Sequence, residues 1–137
     1  MNMKKELNIW TGMDFSIPVK KSPYNYLLEQ RSNLIALTSG VLTMDVEVSS
    51  LDGKIIYKLY VVSKKLGNYR RIILSVSVVN TYPVDISYFD IDGSSVVVKG
   101  VLEDEFLDKI SEVIQMPSVK ILIESLYHQS TSNFYPS

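Results

Sequence analysis

Between residues 41 and 99 apolar and polar side chains alternate with a period of two, and from 101 to 127 the period lengthens to that of a helix. The change of period predicts an α+β fold. Five consecutive strands form an antiparallel meander over 41–99, packed by an N-terminal helix and two C-terminal helices. The first hairpin can be written in register. Leu42, Met44, Val46 and Val48 alternate with Thr43, Asp45, Glu47 and Ser49. Asp52-Gly53 then supplies the dipeptide of a type I′ turn, in which both central residues take positive φ. A two-residue loop there places Leu51 opposite Lys54, Val48 opposite Tyr57, Val46 opposite Leu59 and Met44 opposite Val61. The reverse face pairs Glu47 with Lys58 and Asp45 with Tyr60. A slip of one residue would mix the two faces, so the pattern specifies this register.

A third strand follows the loop at Lys64–Tyr69. Continued alternation puts Ile72, Leu74, Val76 and Val78 on the apolar face. Asn80–Pro83 makes the next turn, and Val84, Ile86 and Tyr88 join that face if the loop has an odd number of residues. Asp92-Gly93 marks the last hairpin, before Val96, Val97 and Val98.

The helices are read from stripes and caps. Ser22-Pro23 offers a hydroxyl cap and a proline at the first helical position. Leu27, Leu28, Leu34 and Ile35 follow on one face, and Gly40 provides a stop. Phe106, Leu107, Ile110, Val113 and Ile114 form the stripe of a second helix, with Glu103, Asp104 and Glu105 in its first turn, where the dipole favours anions. Pro117 opens a third helix with the stripe Val119, Leu122, Ile123 and Leu126. The whole chain, 1–137, reads as a single domain. Its first 20 residues alternate at Met13, Phe15, Ile17 and Val19 as an edge strand or extended arm would, with Pro18 confining any such strand to an edge. Residues 129–137 read as a mobile tail.

Composition narrows the function classes. Hydrophobic residues make up 46% and charged residues 21%, values of a globular domain. The net charge of −1 gives no field to gather DNA, RNA or anionic lipid. With no cysteine, disulfides, thiol catalysis and zinc–thiolate sites are excluded. No apolar run approaches the ~20 residues of a membrane span. The polar start, with Lys4, Lys5 and Glu6, lacks the apolar core of a secretory signal. A cytoplasmic protein is the expectation.

Candidate chemistry is sparse. His128, the single histidine, lies near the end of the last helix, where an imidazole commonly serves the helix terminus. Asp90-Ile91-Asp92-Gly93 lacks the further oxygens of a calcium loop and is explained by a turn. The carboxylates Glu103, Asp104, Glu105 and Asp108 splay around a helix and do not face one another. Lys64, Lys65, Arg70 and Arg71 bracket Tyr69 at a hairpin tip, a pattern that can hold phosphate and stack a base. It also keeps a hairpin edge from self-pairing, and without overall basic charge nucleic acid is disfavoured. No catalytic, metal or cofactor site is assigned.

One surface stands out. The outer face of the first three strands is expected to carry Asp45, Glu47, Ile56, Lys58, Tyr60, Val62, Arg71, Ile73 and Ser75. Tyrosine, arginine and apolar groups mixed with charge suit a protein interface. Asp45, Glu47, Lys58, Tyr60, Arg71 and Ile73 are the expected contacts with a protein partner. An ordinary wetted sheet face, or one covered by the N-terminal segment, is the plainer reading. The pattern favours a small non-catalytic interaction protein of the inhibitor, immunity or adaptor kind. A small enzyme using carboxylate, lysine, tyrosine or serine groups, or a weak nucleic-acid module at the Lys64–Arg71 tip, is the alternative. Homo-oligomerisation is left open.

Overall fold

The computed structural model describes residues 10–13 and 21–132. Most of the first 20 residues, and with them the edge-strand reading of that segment, lie outside the described residues. The chain forms α1 (Pro23–Leu37), β1 (Leu42–Leu51), β2 (Lys54–Ser63), β3 (Tyr69–Val78), β4 (Val84–Phe89), β5 (Ser95–Val101), α2 (Glu103–Ile114) and α3 (Pro117–Thr131). The strands make one antiparallel sheet in the order β1-β2-β3-β4-β5. This is the α+β meander with one helix before it and two after it that the periodicity predicts. Among the described residues, no helix is long and apolar enough to cross a membrane.

Local chemistry accounts for the joints. The Ser22 hydroxyl accepts the Asn25 N–H at 3.1 Å and Pro23 opens α1, satisfying helix donors that would otherwise be orphaned. At the other end the Gly40 N–H reaches Ile35 O at 2.9 Å and Ser39 N–H reaches Ala36 O at 3.4 Å, a Schellman closure whose left-handed residue is Ser39, at φ 51°. The buried Thr38 hydroxyl donates to Leu34 O at 2.8 Å and accepts the Leu42 N–H at 3.1 Å, which fixes the turn from α1 into β1. Asp52 and Gly53 take φ 51° and 76°, as a type I′ turn requires. The β1–β2 register is the one written from the sequence, from Leu51↔Lys54 through Val48↔Tyr57 to Met44↔Val61.

The three helices of the described residues cover one face of the sheet. α1 packs on β1, α3 on β2, and α2 on β3 and β5. Between them lie Leu27, Leu59, Leu74, Val76, Ile86, Phe106 and Ile110, all but sealed from solvent. Three apolar residues of the predicted stripes, Leu28, Ile35 and Leu107, fall outside this core, Leu28 being half-buried. Leu107 and Ile35 are exposed, because each sits at the margin of its helix face. The C-terminal segment also differs from expectation. Residues 129–131 continue α3, and Ser130 is buried, its hydroxyl hydrogen-bonded to that of Ser63 on β2 and donating to Leu126 O at 2.6 Å. Residues 133–137 lie outside the described residues.

The principal departure is in β3. Its pairing with β2 runs Tyr57↔Val76 and Leu59↔Leu74, then jumps to Tyr60↔Ile72 and Val61↔Arg71. Ile73 is the extra residue of a β-bulge. It turns into the core at 5% exposure, while Ile72 rotates to the outer face at 38%. Everything N-terminal to the bulge exchanges faces with it. Arg70 pairs with Val62 on the outer face, and Arg71 pairs with Val61 on the helix side. The placement of Arg71 and Ile73 on the outer face is therefore corrected to Arg70 and Ile72.

Candidate functional site

Among the described residues, no helix packs on the other face of the sheet. β1 brings Asp45 and Glu47 there, β2 brings Ile56, Lys58 and Tyr60, and the post-bulge parity of β3 brings Arg70 and Ile72. Of the six expected contact residues, Asp45, Glu47, Lys58 and Tyr60 share this face. Ile73 lies beneath it in the core, and Arg71 lies on the helix side, beside Leu122 and Leu126 of α3.

Toward the β2–β3 hairpin end of the face the Arg70 guanidinium lies 4.1 Å from the Tyr60 ring centroid. Its Nη2 also contacts Glu47 Oε2 at 3.4 Å. Glu47 and Lys58 are cross-strand partners, as predicted, but the ion pair of the Glu47 carboxylate is with Arg70, one strand further away. Both groups are well exposed, so this pair adds little to stability, of order 0.2–1 kcal/mol. Its consequence is geometric: the Arg70 side chain is held over an aromatic ring by groups from neighbouring strands, Glu47 on β1 and Tyr60 on β2. Beside the stack lies a shallow depression of about 260 Å³, lined by Lys58, Ile72, Ser75, Ser87, Phe89 and Ser95. Phe89 is 61% exposed and Val97, on the same face of β5, 49%. Ser75 faces Ser87 directly, so short hydroxyl side chains with little rotamer entropy line the depression.

The remaining candidates resolve into structural roles. His128 is exposed in the last turn of α3, edge-to-face with Tyr127. Asp90–Ser94 closes the β4–β5 hairpin: Asp90 N–H donates to Ser94 O at 2.8 Å, and Asp92 Oδ1 accepts the Ser94 N–H at 2.9 Å. The Ser94 hydroxyl and backbone bonds hold the Asp92 carboxyl below its usual pKa. Among the described residues, no group of three or more His, Cys, Asp or Glu side chains could hold a metal ion. The basic tip is divided by the bulge. Arg70 stacks outward on Tyr60, whereas Arg71 Nη1 donates to the Tyr69 hydroxyl at 3.2 Å on the opposite side, so the arginines form no single phosphate-binding surface.

A polar cluster that sequence reasoning did not find ties α1 to α2. The Tyr26 hydroxyl donates to Glu103 Oε2 at 2.8 Å, and the same oxygen accepts the Lys21 N–H at 3.3 Å. The Tyr82 hydroxyl donates to Lys21 O at 2.9 Å, and both tyrosine rings pack against Phe106. Glu103 is thus a helix-terminus anchor and not merely a solvated first-turn acid. The carboxylate bond raises the Tyr26 pKa, and burial, then the Glu103 charge, raises that of Tyr82. Residues 77 positions apart leave no local signal for such a pair.

Comparisons with protein families, curated proteins and solved structures find no match to this chain.

Proposed function

We propose that this chain is a small non-catalytic interaction protein, of the inhibitor, immunity or adaptor kind, that binds a folded protein partner through the outer face of its sheet. The observation that supports this most is the Glu47–Arg70–Tyr60 stack, set among Ile72, Phe89 and Val97. Tyrosine and arginine are the residues that most often carry binding energy at protein interfaces, and they do so best when held in place before contact. Three strands of ten residues, at ~3.3 Å per residue and ~4.8 Å between strands, give the face an extent of roughly 30 Å by 20 Å once β4 and β5 are added. That compares with the ~800 Å² each partner contributes to a standard interface. Asp45, Glu47, Lys58 and Arg70 offer both signs of charge, which suits a partner of mixed charge over a strongly acidic or basic polymer. The absence of cysteine agrees with a reducing compartment such as the cytoplasm.

The test is quantitative capture from native lysate with the immobilised chain. The double variant Tyr60→Ala/Arg70→Ala should lose a stoichiometric protein partner while melting within a few degrees of the wild type. Arg71→Ala, on the opposite side of the sheet, should retain it. Equal capture by the wild type and the double variant would refute the assignment, as would loss on Arg71→Ala alone.

A further inference from the structure

A cavity of about 190 Å³ opens between the helices on the covered side of the sheet. It exists because α1 packs on β1 and α3 on β2, so their side chains stand apart over the seam. Met44, Val61 and Ile73, on three adjacent strands, form its floor, and the bulge is what delivers Ile73 to it. Leu34 closes one wall from α1, and Ile114 and Ile123 close the other from α2 and α3. Leu37, 84% exposed, forms an apolar lip on the last turn of α1.

The chemistry of the lining selects the guest. Among the described residues no charged side chain lines the cavity, so an ionised ligand would leave water without a counter-charge from them. Water itself is a poor occupant of the floor, walled by Met44, Val61 and Ile73, where it lacks hydrogen-bond partners. The polar side chains of the lining are the carboxamides of Gln30 and Asn33, one turn apart on α1 and joined by a 3.3 Å bond from Asn33 Nδ2 to Gln30 Oε1. That bond leaves Asn33 Oδ1 to accept and Gln30 Nε2 to donate, a complement to a neutral head group. Size sets the length. A cavity of about 150 Å³ takes benzene, so about 190 Å³ accommodates roughly six to eight carbons, with the mouth beside Leu37 open to solvent.

We propose that this cavity binds an uncharged medium-chain aliphatic molecule, its tail on Met44, Val61 and Ile73 and its hydrogen-bonding head against Gln30 and Asn33. The site is separate from the outer face and lies on the opposite side of the sheet. Its test is a methyl-detected NMR titration of the full chain with 1-hexanol, with hexanoate and hexylammonium as charged controls. Saturable shifts confined to the methyls of Leu34, Val61, Ile73, Ile114 and Ile123 are expected, with both ions at least tenfold weaker. Ile73→Phe and, from the opposite wall, Ile123→Phe fill the space, and whichever folds should lose the saturable response. Shifts that do not saturate, that scatter over the surface, that are equal for hexanoate, or that persist unchanged in a folded filling variant would overturn the assignment.

Discussion

Replacing Ile72 and Ile73 one at a time by alanine tests the bulge on which the composition of both faces depends. The two residues are identical and adjacent, so propensity and chemistry cancel and only their surroundings differ. Ile73 is 5% exposed and packs in the core, whereas Ile72 is 38% exposed on the outer face. Truncating a buried isoleucine to alanine costs about 2–5 kcal/mol, made up of lost transfer energy and the cavity left behind. Ile73 borders a space of about 190 Å³, so part of the void left by its truncation is continuous with one already present. That places Ile73→Ala toward the lower half of the range, at about 2–3 kcal/mol. Ile72→Ala gives up a side chain that is partly wet and leaves no enclosed void, so about 1 kcal/mol or less is expected. At an unfolding entropy of about 2.1 cal/mol/K per residue, a chain of 137 residues shifts by about 3–4 °C per kcal/mol. The expected drops in Tm are thus about 7–10 °C for Ile73→Ala and under about 4 °C for Ile72→Ala. Urea unfolding followed by far-UV circular dichroism gives the same comparison in free energy. If Ile72→Ala costs as much as Ile73→Ala or more, the strand alternates without interruption, and Arg71 rather than Arg70 belongs to the outer face.

Other outcomes follow from particular contacts. Ser39→Gly relieves a left-handed serine at the end of α1 and should stabilise by about 0.5–1 kcal/mol, read as a rise in Tm; a fall would contradict the Schellman closure. Tyr82 has a folded pKa raised above the unfolded value of ~10, so its contribution is intact below pH ~10 and is lost as pH rises through the higher folded value. Stability should therefore fall in strong alkali, by at most about 1.4 kcal/mol per pH unit from this group, and Tyr82→Phe should flatten that limb of the unfolding curve. Ser63→Ala removes one partner of the buried Ser63–Ser130 bond but leaves Ser130 bound to Leu126 O, so a modest loss of about 1 kcal/mol is expected in denaturant melts, and full unfolding would contradict the pairing.

The first hairpin was legible because two independent signals, the Asp52-Gly53 turn and four alternating apolar positions, demand the same register. The bulge in β3 was not legible, and the reason lies in the residues themselves. Arg70-Arg71-Ile72-Ile73 is a pair of doublets, so moving the strand by one place exchanges arginine for arginine and isoleucine for isoleucine. The Val61-Val62 pair across from them is equally indifferent to parity. Hydrophobic alternation carries no information at such a point, and the tertiary packing of Ile73 under α1 and α3 decides it. The same holds for the end of α3. Gln129, Ser130, Thr131 and Ser132 read as a polar tail, yet Ser130 is buried because Ser63 meets it from β2. The outer face was readable as a set of charges around Tyr60, but its central contact, Arg70 on the tyrosine ring, waits on the bulge.

The absence of native cysteine makes the claim for the outer face directly measurable. Single cysteines carrying a maleimide photocrosslinker can be placed at Ser49 or Ser75 on that face, and at Ser111 or Ser125 on the exposed sides of α2 and α3. The account predicts that one and the same protein is crosslinked from native lysate through Ser49→Cys and Ser75→Cys, and that Tyr60→Ala/Arg70→Ala in the same chain abolishes the adduct. A specific adduct formed only through the helix positions Ser111→Cys or Ser125→Cys would place the binding surface on the other side of the molecule and contradict it.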